Sequence, residues 1–135
     1  MNTKFVRTGL ILLGIFHTAN GISMLAAPDF WYNSVPGVTL SGPANHHFIA
    51  DIGLAFIASG IGLLMALRTG ATAATFALAG ATWPALHALL HVWEWISDGV
   101  PSNPQQIASD FVAVMLASFV GFWLAWVWAH REGVV

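Results

Sequence analysis

Four apolar stretches, at about 5–27, 46–67, 71–96 and 105–129, account for most of this 135-residue chain. Each is long enough to cross the hydrocarbon core of a bilayer, which is about 30 Å thick and takes roughly 20 helical residues. No water at that depth satisfies exposed peptide groups, so a spanning segment bonds its backbone internally and is a helix. Composition agrees: hydrophobic residues are 57% of the chain and charged residues 7%, against about 25% charged in an ordinary soluble domain. Four basic and six acidic side chains cannot keep a body of this size in water. They exclude a disordered chain, a coiled coil, a nucleic-acid binder and a soluble enzyme. Cysteine is absent, which removes disulfides, thiolate metal sites and thiol redox chemistry. The expected fold is all-α: a single integral-membrane domain over 1–135, a four-helix bundle with an outer loop at 28–45.

The boundaries carry their own chemistry. Pro28 ends the first span, Asn45 is placed to cap the second, and Asn103-Pro104 offers a cap and a first-turn proline for the fourth. Arg68-Thr69-Gly70 is so tight a connection that the second and third helices are antiparallel neighbours. Lys4, Arg7, Arg68 and Arg131 all fall on one side of the membrane. The excess of basic residues in cytoplasmic loops then predicts an N-in, C-in topology. The first span has the basic start and the Ala26-Ala27 end of a signal peptide. It also carries His17 and Asn20 and runs into Pro28, so it is expected to be retained. The outer loop holds Trp31, Tyr32, Val35, Pro36 and Val38, and is expected to fold over the outer mouth of the bundle or to lie in the interface. Small residues at Ala71, Thr75 and Ala79, and at Ala58 and Gly62, are expected to mark close helix contacts.

In this topology the remaining ionisable groups gather in the outer half. His87, His91 and Glu94 are spaced four and three residues apart, and His47 and Asp51 four apart. Each set therefore shares one helix stripe. At about 1.5 Å per residue, Asp51 stands roughly 25 Å above Arg68, and His87 and His91 roughly 24 to 30 Å above Ala71. His17 lies somewhat lower in the first helix. Burying a charged group at such depth costs at least about 2.5 kcal/mol, which makes deep ionisable residues functional candidates. The spacing predicts that His87, His91 and Asp51 converge, with His47, Glu94 and His17 as further ligands. Asp110, His46 and Asn20 form the next layer around them. Imidazole and carboxylate ligands suit a transition metal such as iron, copper, zinc or manganese, and bundle interiors commonly house such sites.

The runs Val35-Pro36-Gly37-Val38 and Gly42-Pro43-Ala44-Asn45-His46-His47-Phe48-Ile49-Ala50-Asp51-Ile52-Gly53, with His87-Ala88-Leu89-Leu90-His91 in the third helix, are similar to segments of small bacterial inner-membrane proteins. The chain thus resembles the DoxX-like type, in its uncharacterised branch. The resemblance implies a multi-pass four-helix bundle in the bacterial inner membrane and a loose link to quinone-coupled redox chemistry. It assigns no catalytic residue.

Three functions follow as expectations. The leading one is an outward-facing His/carboxylate site that binds a transition metal, with a redox link. The second is a haem or quinone protein. Bis-histidine haem would draw one axial ligand from His17 or His47 and the other from His87 or His91. The third is a non-enzymatic scaffold or subunit of a larger membrane complex. Membrane lipids, a second copy or such a complex are the expected partners, and nucleic acid is not.

Overall fold

The computed structural model describes residues 2–135. Among them every regular element is helical. The spanning elements are α1 (Thr3–Ala26), α3 (His46–Leu64, continued by a 3₁₀ turn Met65–Leu67) and α4 (Ala71–Ser97). The last span is a continuous 28-residue helix, Pro104–Arg131. It is built from α5 (Pro104–Ala108), a π-helical run (Ser109–Leu116) and α6 (Ala117–Arg131). All four are long and apolar enough to cross a membrane. Their outer faces carry Leu12, Ile15, Ile22, Leu54, Ile61, Phe76, Leu86 and Phe111 exposed, as a surface solvated by lipid requires.

The caps form as their residues dictate. Asn45 Oδ1 accepts from the Phe48 N–H, and Asn103 Oδ1 from the Gln105 N–H. The outer loop is more ordered than its composition indicates. Pro28 does end α1, but it also occupies the first turn of a short helix α2 (Pro28–Ser34), where its missing N–H costs nothing and Asp29 meets the positive end of the helix. A 3₁₀ turn follows at Val38–Ser41.

Two features set the shape. The first is glycine packing between α1 and α3. Gly14 lies against Gly60 and Gly21 against Gly53, so closely that a Cβ at either α1 position would strike the facing backbone. These helices therefore stay together along their length. The second is a core confined to the half of the bundle that holds both termini: Val6, Leu10, Leu63, Ala66, Ala73, Ala74, Ala77, Ala81, Leu124, Ala125, Trp128 and Ala129. There the α1/α3 pair meets the pair made by α4 and the last helix, with Gly9 against Leu124 and Gly121 against Leu13. Arg7 seals this end by donating to the Ala66 and Leu67 carbonyls, which the end of α3 leaves without partners. The stripe Ala71, Thr75, Ala79 faces outward, as does Ala58. The packed face of α4 is instead the alanine set one position round, and Gly62 packs on Gly80.

Pro84 sits fully buried in α4. Lacking an N–H, it leaves the Gly80 carbonyl without its intrahelical partner. Ser59, buried on α3, donates its hydroxyl to that carbonyl across the helix interface. Beyond this level the two helix pairs part.

Candidate functional site

The parting of the pairs leaves a cavity of about 1080 Å³ in the half opposite the core. Its floor and walls hold the ionisable groups of three helices. His17 comes from α1, His87, His91, Glu94 and Asp98 from α4, and Asp110 from the last helix. His17 is 2% exposed and Asp110 7%.

An aromatic ladder fixes the imidazoles. His17 stacks on Phe56 at 5.5 Å between ring centroids and 20° between planes. Phe56 meets Trp83 edge-on at 4.8 Å and His87 at 6.2 Å. His87 stacks on Trp83 at 5.3 Å and 6°, and meets His91 edge-on at 4.8 Å. His91 Nδ1 stands 3.7 Å from Asp110 and 3.9 Å from Glu94. Two buried nitrogens of lining residues, His17 Nδ1 and Trp95 Nε1, have no hydrogen-bond partner among the described residues. Buried polar atoms are normally paired, so each of these is a place where a ligand or water would bond.

Asp110 reaches the cavity because of the π-helical run. The Ala117 N–H bonds to the Val112 carbonyl, five residues back. Such turns are wider than α turns and advance each residue by less than 100°. In α winding, the residue in phase with buried Ser118 would be Phe111, seven positions earlier. The wider run takes up one extra residue, so Asp110 faces inward and Phe111 is 51% exposed.

The outer loop roofs the cavity. Trp31 Nε1 donates to Asn20 Oδ1 at 3.0 Å, and the Tyr32 hydroxyl donates to the Gly42 carbonyl. Gly37, at φ +90°, brings the loop against the Gln106 side chain on the last helix. His46 Nε2 lies 2.7 Å from Asp29 Oδ1 and ties α2 to the start of α3.

The expected convergence of His87, His91 and Asp51 is not what the structure contains. Asp51 and His47 do form one stripe, 3.5 Å apart, but their side chains are 57% and 89% exposed and neither lines the cavity. The inward face of α3 runs through Ile49, Gly53, Phe56, Gly60 and Leu63 at intervals of four and three. Asp51 falls two residues from Ile49 and two from Gly53, about 200° round the helix. His46 likewise serves the loop and not the cavity, and Asn20 is a lining residue engaged by Trp31. His17, His87, His91, Glu94 and Asp110 are brought to the one cavity, although among the described residues no three His, Asp or Glu side chains are grouped closely enough to hold a metal ion. Phe56, Trp95 and Ser118 are among the lining residues that the sequence did not single out. Trp95 is four residues after His91, on its stripe, and reads as an interfacial tryptophan. Ser118 carries no signal beyond its spacing from Gly121.

No family model, no characterised protein and no solved structure matches the chain.

Proposed function

We propose that this is a multi-pass protein of the bacterial inner membrane that binds an organic molecule with a compact hydrogen-bonding head, of the quinone type, in an outward-facing cavity. The observation that carries this reading is a largely apolar cavity in which the buried His17 Nδ1 has no partner among the described residues, beside the stacked rings of Phe56, His87 and Trp83, with His91 and Asp110 also on the lining. A planar head with polar atoms at its rim fits that combination: rings to stack on, and donors and acceptors around them. The DoxX-like resemblance points the same way. Orientation rests on Lys4, Arg7, Arg68 and Arg131 at the opposite end from the cavity, with both termini cytoplasmic. A three-ligand metal site lacks grouped ligands among the described residues. Bis-histidine haem is disfavoured because Phe56 packs on both His17 and His87.

Reconstituted protein titrated with a short-chain quinone tests this. Saturable quenching of tryptophan fluorescence is expected, weakened about tenfold in His17→Phe, the equivalent of losing one buried hydrogen bond of about 1.4 kcal/mol. Absence of saturable binding, or a haem absorption band in the purified protein, would refute the proposal.

A further inference from the structure

The cavity's aqueous mouth is roofed, whereas one of its sides is not. Between α3 and α4 the seam is closed at its lower part by Gly62 against Gly80, by the Ser59 bond to the Gly80 carbonyl, and then by Phe56 against Trp83. Above these contacts Phe48 and Leu90 face each other's helices. Both line the cavity, and both are exposed, 62% and 50% respectively. Lining side chains this exposed stand at the rim of the cavity, as Phe16 on α1 does at 44%. The two are level: each lies nineteen residues from its end of the tight turn, Phe48 from Leu67 and Leu90 from Ala71. At the helical rise that is about 28 Å, within a hydrocarbon core of about 30 Å.

We infer that the cavity is loaded sideways from the lipid through the Phe48/Leu90 seam, by a ligand whose polar head seats among His17, His87, His91 and Asp110 while a hydrocarbon tail passes out between α3 and α4. This rests on the proposed function for the head and adds the tail and the route. The chemistry agrees at both ends. The seam offers a phenyl ring and an isobutyl group to a tail, and the tether at Asn20 and the approach to Gln106 hold the loop over the cavity's other end. A tailed molecule already dissolved in the bilayer meets the seam by lateral diffusion, with no transfer through water.

The full chain in lipid nanodiscs tests this with a photoreactive p-benzoylphenylalanine placed at Phe48, at Leu90, or at Leu54, which is 55% exposed on α3 and outside the cavity lining. The probe is a quinone with a ten-carbon tail, and the same head without a tail is run beside it. Saturable tryptophan quenching by the tailed quinone confirms that each variant is folded and binds. The expected result is tailed-probe labelling at positions 48 and 90 that is abolished by excess unlabelled tailed quinone, with only non-competable background at 54. Saturable binding with labelling at 48 and 90 no greater than at 54 overturns the route and leaves the head-group reading standing. No saturable binding of either quinone overturns both.

Discussion

Replacing Ser59 with alanine measures how the bundle tolerates a proline inside a spanning helix. Pro84 removes the donor that would satisfy the Gly80 carbonyl, and the Ser59 hydroxyl supplies the replacement from α3. The site is dry: Ser59 is 3% exposed. An unpaired buried carbonyl costs about 1–3 kcal/mol, while interhelical hydrogen bonds in membranes average about 0.6 kcal/mol and reach about 1.7. A fully buried bond with a single acceptor and no alternative donor belongs at the upper end, so Ser59→Ala is expected to cost about 1–1.5 kcal/mol, roughly a tenfold change in the unfolding equilibrium. The companion variant Pro84→Ala restores an N–H that can bond the same carbonyl from within α4. In that background Ser59→Ala should cost less than about 0.5 kcal/mol, and the cycle cancels the separate loss of proline packing. Reversible unfolding of all four proteins in mixed micelles, followed by circular dichroism, gives the numbers. Equal cost of Ser59→Ala in both backgrounds would refute the link between the serine and the proline.

Other outcomes follow from the same geometry. Gly21→Ala drives a Cβ into the Gly53 carbonyl and Ile57, and should cost about 1–3 kcal/mol in the same unfolding assay. Asp110→Asn should weaken quinone binding about tenfold while Asp51→Asn leaves it unchanged, because only Asp110 lines the cavity; equal effects would place the site elsewhere. Gly37→Val combines a left-handed φ with collision against Gln106, so it should lift the roof. Iodide quenching of the Trp31 signal, taken as the difference from Trp31→Phe, should then rise. A reporter fused after Val135 should be cytoplasmic and one inserted in the 97–103 loop external; the reverse would overturn the orientation.

The spans and their caps were legible because hydropathy and capping act over short stretches of chain. The phase of a polar pair was not. An interval of four residues states that His47 and Asp51 share a face, yet it leaves open which face that is. In α3 the deciding signal was the smaller one, glycines at 53 and 60 that let α1 approach and so fix the inward side. In α4 the same kind of interval pointed correctly, because Ala77, Ala81, Pro84 and Ala88 set an inward stripe adjacent to His87 and His91. Asp110 was recognisable as a deep acid, but its orientation depends on π winding, which no residue in 109–116 announces. The roof was anticipated from its apolar residues, whereas its tethers depend on Asn20, eleven residues before Trp31 on α1, and on Gln106 of the last helix, and neither announces its partner.

The π-helical run bears on how this chain can vary in length. Ser118 and Asp110 are eight residues apart and in phase only because of the wider turns. Removing one residue between them, such as Val112, leaves seven, the interval at which plain α winding brings two positions to the same side. Asp110 would stay on the cavity wall and the segment before it would keep its aim, whereas a deletion elsewhere in a spanning helix rotates everything beyond it by about 100°. The run thus behaves as an absorbed single-residue insertion. A descendant or ancestor that lacks it is expected to carry its carboxylate seven positions ahead of the small buried residue, and an alignment that forbids a gap there would pair Asp110 with the wrong neighbour.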